Sequence, residues 1–351
     1  MSVSELWAIE MVVAAFAGGA FGAAVGALPS FTLAGLMVIV GELYKLLSRS
    51  SEFAVASMDI TGSIAFGVVL GPHVAFGGGA AAVAYAAKKG SLDSDFEYHP
   101  AKEVTRGLGS KPDVLAVGGL FGVVGYWIAT LSAALSLPLD PVALGVVGSA
   151  LVHRGVFGYS FIGAAPRQLF DMSPFERTRR SEPGEVARTD GGRSVEPWLP
   201  YQYRWSHVVM LGTVVGVLGG YIAYVTGSAF LAFGISVVAL AFVNAGVPEI
   251  PVTHHMSLPA STAVLASVDA PLDSLTPAIV TGAIPLGEVL LLGAVFGGVG
   301  ALLGEVAQRI FYAHADTHFD PPAASIVGTS LVIGVLALVG VLPGAAWIPL
   351  P

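Results

Sequence analysis

Residues 57–72 read Ser-Met-Asp-Ile-Thr-Gly-Ser-Ile-Ala-Phe-Gly-Val-Val-Leu-Gly-Pro, and residues 255–271 read His-Met-Ser-Leu-Pro-Ala-Ser-Thr-Ala-Val-Leu-Ala-Ser-Val-Asp-Ala-Pro. The two stretches align from Met58 and Met256 onward, and each ends at a proline. Each is apolar, but shorter than the roughly 20 residues that a helix needs to cross a bilayer. A second apolar piece follows each proline. The pattern therefore predicts one broken helix in each half of the chain, with polar backbone inside the membrane where protein or a wet cavity covers it.

The composition predicts an integral membrane protein. The chain is 54% hydrophobic and 11% charged, with a mean hydropathy of +0.77, whereas soluble domains are about 25% charged. The absence of cysteine excludes disulfides and thiolate metal sites. A net charge of −8 without a basic face argues against nucleic acid as a partner. We expect the lipid bilayer as the partner, in the plasma or inner membrane of a prokaryote, because arginine outnumbers lysine in an acidic chain.

Further matched blocks predict an internal duplication. Residues 114–125 match residues 289–300, and residues 140–152 match residues 320–332, in the same order along the chain. We therefore predict two tandem pseudo-symmetric membrane repeats, residues 1–165 and 206–351, joined by a polar cytoplasmic linker over 166–205. The expected fold is an all-α polytopic membrane protein. Each repeat would have about four transmembrane helices plus one broken, re-entrant helical hairpin.

The basic residues predict the orientation, because cytoplasmic loops carry an excess of lysine and arginine. If each broken segment enters and leaves the membrane on the same side, every basic residue except Arg309 can be cytoplasmic. Both termini are then cytoplasmic and the repeats are parallel. The alternative is five true spans per repeat, which would make the repeats inverted. Transporters of both kinds hold their sites near the midplane, at the interface of the repeats.

The polar residues at the two breaks are candidate binding residues, because charge inside a bilayer is costly and usually functional. Asp269 and Asp273 flank the second break, and Gly71 and His73 flank the first. Pseudo-symmetry would bring the breaks together and allow Asp269 to pair with His73. For Asp273, capping of the helix that follows is an alternative explanation.

Three further polar residues complete the predicted solute- or ion-binding set. Asp59 stands at the start of the first broken helix, where it could either cap the helix or face the cavity. Ser63 and Ser261 occupy matching positions of the two stretches. We expect all three near the path.

The segment His314-Ala-Asp316-Thr-His318-Phe-Asp320 alternates metal-ligand types at every second residue. In an extended loop the four side chains would project to one side, and histidine with carboxylate suits zinc or a related divalent ion. The alternative is that Asp320 merely caps a helix, as Asp140 is expected to do in the first repeat. Apart from this ion, we expect no cofactor.

The duplication, the broken helices and the intramembrane aspartates predict a transporter or channel for a small solute or ion. The path would lie between the duplicated halves, with the site at the broken helices. One alternative is a structural or assembly protein, whose small-residue helix faces would also suit a homo-oligomer. The other is a membrane-embedded metal enzyme built around His254, His255, Asp269 and Asp273. A path should draw on both halves, whereas an enzyme would usually gather its polar groups in one.

Overall fold

The computed structural model describes residues 3–50, 58–163, 169–181 and 195–351. Ser57 and much of the predicted linker lie outside the described residues. The α-helices of the described part are α1 (Ile9–Val25), α2 (Ala27–Ser50), α3 (Ala75–Lys88), α4 (Pro112–Ala134), α5 (Pro141–Phe157), α6 (Ser173–Ser181), α7 (Trp205–Thr226), α8 (Leu231–Val238), α9 (Leu240–Asn244), α10 (His254–Ala266), α11 (Pro277–Ala283), α12 (Leu286–Phe311) and α13 (Pro321–Leu338). Short turns of 3₁₀- or π-helix lie between several of them.

In the described part of the chain, α2, α4, α7, α12 and α13 are long and apolar enough to cross a membrane. Three shorter apolar helical stretches accompany them, namely α1, α5 and the pair α8–α9. Outward-facing side chains such as Leu120, Val214 and Leu291 are exposed, and the lipid bilayer covers such apolar surface in a membrane protein. The prediction of an all-α, multi-pass membrane protein is confirmed.

Backbone-to-backbone contacts at glycine hold two groups of three helices together. Gly19 on α1 lies against the backbone of Gly118 on α4, and Gly216 on α7 lies against that of Gly293 on α12. Between these pairs, α3 packs on α1 and α4, and α10 packs on α7 and α12. The glycines at these contacts therefore form small-residue faces on the helices. Such faces let helix backbones approach more closely than larger side chains would allow.

The two groups run in opposite directions. One end of the bundle, here called the loop end, carries the polar segments 89–111 and 195–204, which the Lys102–Glu196 ion pair joins at 2.6 Å. Helix α7 begins at this end. Helix α1 ends here, because Leu28, three residues beyond its last residue, donates its N–H to Val104 O in the first polar segment. Helices α5 and α13 are likewise antiparallel, because the start of α5 meets the C-terminal half of α13, where Asp140 N donates to Ser330 Oγ at 2.8 Å.

The opposite end, here called the terminal end, holds the first and last residues that the structure describes. Tyr126 near the end of α4 donates to Glu5 O at 2.7 Å, and Gly344 N donates to Ala266 O at 3.1 Å. The termini and the two polar segments thus lie at opposite ends of the bundle. This contradicts the prediction that both termini share a side with residues 88–113 and 166–205.

The reason is that residues 58–88 cross the bundle in one direction instead of turning back. Asp59 pairs with Lys45 at 3.0 Å at the terminal end, and Val69 lies against Gly18 halfway along α1. Helix α3 then continues along α1 to the loop end, where Lys88 lies over the ring of Tyr159. The helix is broken as predicted, but the expected re-entrant hairpin is wrong for this segment.

Replacing Gly293 by valine should destabilise the protein by about 1–3 kcal/mol, as overpacking of a close-packed contact does. A Cβ atom there would lie 2.5 Å from Gly216 O, and a backbone oxygen cannot move aside. Gly287→Val is the matched control, since it is on the same helix and has no atom within 4 Å of its Cβ position. Thermal unfolding in detergent should show a large loss for Gly293→Val alone. Equal losses for both variants would contradict the role assigned to the α7–α12 contact.

Candidate functional site: a buried cavity between the halves

A cavity of about 130 Å³, here called the inner cavity, lies among helices from both halves of the chain. Its wall is mainly apolar and aromatic, with two carboxylates and one imidazole. The lining residues are Phe31, Phe66, Pro72, Phe76, Asp140, Pro141, Val142, Ala143, Val146, Phe230, Phe233, His254, Leu258, Asp320, Ala323, Ile326 and Trp347. A concave apolar pocket with a few polar groups is the usual form of a small-molecule site.

A second cavity of about 650 Å³, the loop-end cavity, leads outward from the same place. It reaches the exposed residues Asp95, Phe96 and Glu97 at the loop end. The two cavities share four lining residues, which are Phe31, Phe76, His254 and Asp320. The rings of Phe31 and Phe76 meet edge to face with centroids 6.0 Å apart. These two phenylalanines stand at the junction between the loop-end opening and the inner cavity.

Helix capping positions the two carboxylates. Asp140 Oδ1 accepts from Val142 N at 2.8 Å and from Ala143 N at 3.1 Å, and Asp320 Oδ1 accepts from Ala323 N at 2.8 Å. Each aspartate is followed by proline at the first helical position, where its missing N–H costs nothing. Both side chains are buried, with 8% of each residue exposed. The caps therefore fix the positions of two aspartates that line the cavity, one from each half of the chain.

Several buried histidines around Asp320 lack hydrogen-bond partners in the described part of the chain. They are His254 at Nδ1 and both His153 and His318 at both ring nitrogens. His318 Nε2 lies 3.9 Å from Asp320 Oδ2, which is too long for a hydrogen bond. Buried polar groups are normally paired. His254 and His318, which line the cavities described above, are therefore available to a ligand or to water.

The loop-end cavity carries a buried cation whose charge is compensated. Lys102 is 1% exposed, pairs with Glu196 at 2.6 Å, and has its ammonium 4.4 Å from the ring centroid of Tyr312. Burial lowers the pKa of the Lys102 ammonium, while the Glu196 carboxylate acts in the opposite direction. The pair ties the two polar segments together, since a buried ion pair is costly to break.

Trp347 lines the inner cavity on the side of the terminal end. Trp347 from the C-terminal segment packs on Phe230 with ring centroids 5.3 Å apart and donates to Thr262 Oγ1 at 2.9 Å. Nearby, the buried Glu42 carboxylate accepts from Thr61 at 2.7 Å and from Ser228 at 2.6 Å. These contacts join α2, the broken segment, α8, α10 and the C-terminal segment.

The predicted pairing of the two breaks does not occur. Asp269 and Asp273 are exposed between α10 and α11, at the terminal end, and line none of the cavities described above. His73 is 4% exposed and packs beside Gly71 against α4 and α5. Among the described residues, no ion pair joins His73 to Asp269. The physical reason is that α10 stays helical as far as Ala266, so Asp269 lies beyond its end rather than at mid-membrane.

The other three predicted binding residues line neither the inner cavity nor the loop-end cavity. Asp59 pairs with Lys45 and accepts from Gly62 N at 3.0 Å, which agrees with the capping alternative. Ser63 is exposed. Ser261 is buried and donates to Ala229 O at 2.6 Å.

The predicted metal ligands are dispersed. His314 Nε2 lies 3.1 Å from Leu169 O, and Asp316 is partly exposed, while only His318 and Asp320 line the loop-end cavity. Within the ranges that the structure describes, no three His, Asp or Glu side chains are placed to hold a metal ion. The capping alternative for Asp320 is the one that the structure supports.

Asp140 is predicted from the sequence only as a helix cap, and neither Phe31 nor Phe76 is predicted as a site residue. A signal for Asp140 was present, because it and Asp320 begin the best-matched blocks of the two halves. No local signal marks the phenylalanines, since an aromatic residue in an apolar helix is most often part of a core.

Substituting each carboxylate in two ways should separate its capping role from its charge. Asp140→Ala and Asp320→Ala should each lose about 0.5–2 kcal/mol of stability, as lost N-caps do. The corresponding Asn variants should stay close to the parent, because an amide oxygen also accepts the backbone N–H bonds. Asp269→Ala, at an exposed position, is the control and should change stability by less than about 0.5 kcal/mol. Equal losses for Asn and Ala would show that the charge itself is structural.

Comparisons with curated proteins and with solved structures find no match to this chain. One family model matches residues 1–351, the whole chain, and its description is a family of unknown function (DUF7973). A match over the full length shows membership. The chain therefore belongs to the DUF7973 family and is, by the composition of its helices, a multi-pass membrane protein.

Proposed function

We propose that this protein is a carrier that moves a small solute or ion across the membrane through the inner cavity, between two inverted repeats. The observation that carries the proposal is that matching positions of the two halves line this cavity together. A path built from both halves distinguishes a carrier from an enzyme, whose polar groups would gather in one half.

Reciprocal packing supports the duplication. Gly35 on α2 lies against Val237 on α8, and Gly234 on α8 lies against Val38 on α2. If Gly35 corresponds to Gly234 and Val38 to Val237, these two contacts exchange under a two-fold rotation. A two-fold axis relates contacts in this reciprocal way.

The packing of α3 and α10 supports a different pairing of the broken regions from the one that the sequence predicts. The backbone oxygen of His73 lies against Gly125 on α4, and that of His255 lies against Gly300 on α12. This pairs His73 with His255 and therefore α3 with α10. Because the α1 and α7 helices run in opposite directions, the repeats are of the inverted, five-crossing kind.

The same pairing supports a cavity on the pseudo-two-fold axis. Asp140 and Asp320 line it at the starts of α5 and α13. Three residues after each aspartate, an alanine (Ala143 or Ala323) also lines it. Phe31 and Phe230 line it from α2 and from the start of α8. Transporters with inverted repeats hold their substrates in such positions, near the midplane at the repeat interface.

We infer that access in this state is from the loop end, which favours a carrier over an open channel. The inner cavity adjoins the loop-end cavity, whereas Trp347 and Phe66 line the side toward the terminal end. Alternating access proceeds largely by rocking one repeat against the other around a fixed site. In the second state, the loop-end cavity would close and the Trp347 side would open.

Single cysteines at Ala143 and Ala323 test the proposal, because the chain has no native cysteine. Both alanines line the inner cavity and are 5% and 7% exposed. A small charged methanethiosulfonate reagent should modify both cysteines when added from either side of a proteoliposome. Labelling from the loop end should be faster, since that is the open end here.

The control is Leu218→Cys, on the outer face of α7, where the side chain is 49% exposed to lipid and a charged reagent should not react. Labelling of both cavity cysteines from one side only, after prolonged exposure, would make the cavity a dead-end pocket and would overturn the transport proposal.

A further inference from the structure

We infer that the solute held in the inner cavity is a small organic cation, such as a compact alkylammonium. This inference rests on the proposed function and names the class of substrate for the same site. It depends on the charge of the cavity wall, on its aromatic side chains, on an unpaired imidazole and on the volume.

The wall carries net negative charge. Asp140 and Asp320 contribute two carboxylates, and in the described part of the chain no lysine or arginine lines the inner cavity. The helix N-termini that these residues cap oppose them with about half a positive charge each. A full carboxylate charge exceeds that partial charge at each helix start. The cavity therefore favours a cation over an anion.

The aromatic side chains favour a cation with an apolar body over a metal ion. Phe66 lies 5.2 Å from Phe230, which lies 5.3 Å from Trp347, and Phe31 lies 6.2 Å from Phe233, all between ring centroids. Aromatic faces attract organic ammonium groups, and such rings form the cages that bind quaternary ammonium. Hard metal cations need many oxygen ligands, which a wall of this composition does not provide.

His254 provides a polar group to orient the solute. It is 4% exposed, lines both cavities, and its Nδ1 has no hydrogen-bond partner among the described residues. Its ring packs edge to face on Phe31 with centroids 5.1 Å apart. A few placed polar groups in an apolar pocket fix a ligand's orientation.

The volume and the entrance agree with a small cation. The inner cavity, at about 130 Å³, is small beside the loop-end cavity of about 650 Å³, which suits a compact alkylammonium. The exposed acidic residues Asp95 and Glu97 line the loop-end cavity at its outer side. Acidic residues at a mouth raise the local concentration of cations, and Glu196 compensates the charge of Lys102 deeper inside.

Three probes of nearly equal shape test the charge preference: tert-butylammonium, neutral tert-butanol and anionic pivalate. Binding to the purified full-length protein can be followed by tryptophan fluorescence, because Trp347 lines the inner cavity. We expect tert-butylammonium to bind at least about tenfold more tightly than tert-butanol, and pivalate to bind most weakly. Asp140→Asn and Asp320→Asn should each reduce the affinity for the cation about tenfold or more, while leaving that for tert-butanol unchanged. Asp269→Asn is the matched control and should bind the cation as the parent does.

Equal affinities for the cation and tert-butanol would overturn the inference, as would tighter binding of pivalate or no binding of tert-butylammonium. None of these results would affect the transport proposal, which is tested separately by labelling Ala143→Cys and Ala323→Cys from both sides. Labelling from one side together with cation-selective binding would instead refute transport and leave a cation-binding pocket.

Discussion

The close approach of helix backbones at glycine is the interaction on which the rest of the structure depends. Gly19 and Gly216 bring α1 onto α4 and α7 onto α12 without intervening side chains. The hydrophobic effect does not drive helices together inside a lipid bilayer, so close packing and interhelical hydrogen bonds must stabilise their association. Because α3 and α10 are seated on these pairs, the same contacts position the broken segment, His254 and the walls of the inner cavity.

Polar groups at helix starts then determine what the cavity offers to a ligand. Asp140 and Asp320 are held by backbone N–H groups, so that their positions follow from the ends of α5 and α13. A side chain that caps a helix in a soluble protein faces water, whereas these two residues line a cavity between helices from the two halves of the chain. The structural and the proposed functional roles therefore belong to the same two residues.

Composition and helix-capping patterns predicted the membrane class, the all-helical fold and the starts of α5 and α13. The direction in which residues 58–88 cross the bundle could not be predicted from the distribution of charge. Lys45 is held at the terminal end by its ion pair with Asp59, and the sequence alone does not reveal such a contact between two segments. Asp269 and Asp273 were predicted at mid-membrane but lie at the terminal end, because the prediction depended on which segments of the two halves correspond. Residue identities aligned residues 57–72 with 255–271, whereas the correspondence that we propose from packing is that of α3 with α10, which only tertiary contacts reveal.

The central claim is that the two ends of the bundle open in alternation around the inner cavity. Spin-label distances in lipid nanodiscs test it most directly, with one pair at Glu97 and Gly246 across the loop end and another at Met58 and Asp273 across the terminal end, all exposed positions. The account predicts two distances for each pair, with the fraction closed at the loop end equal to the fraction open at the terminal end. A single fixed distance at both ends, or opening at both ends together, would contradict it.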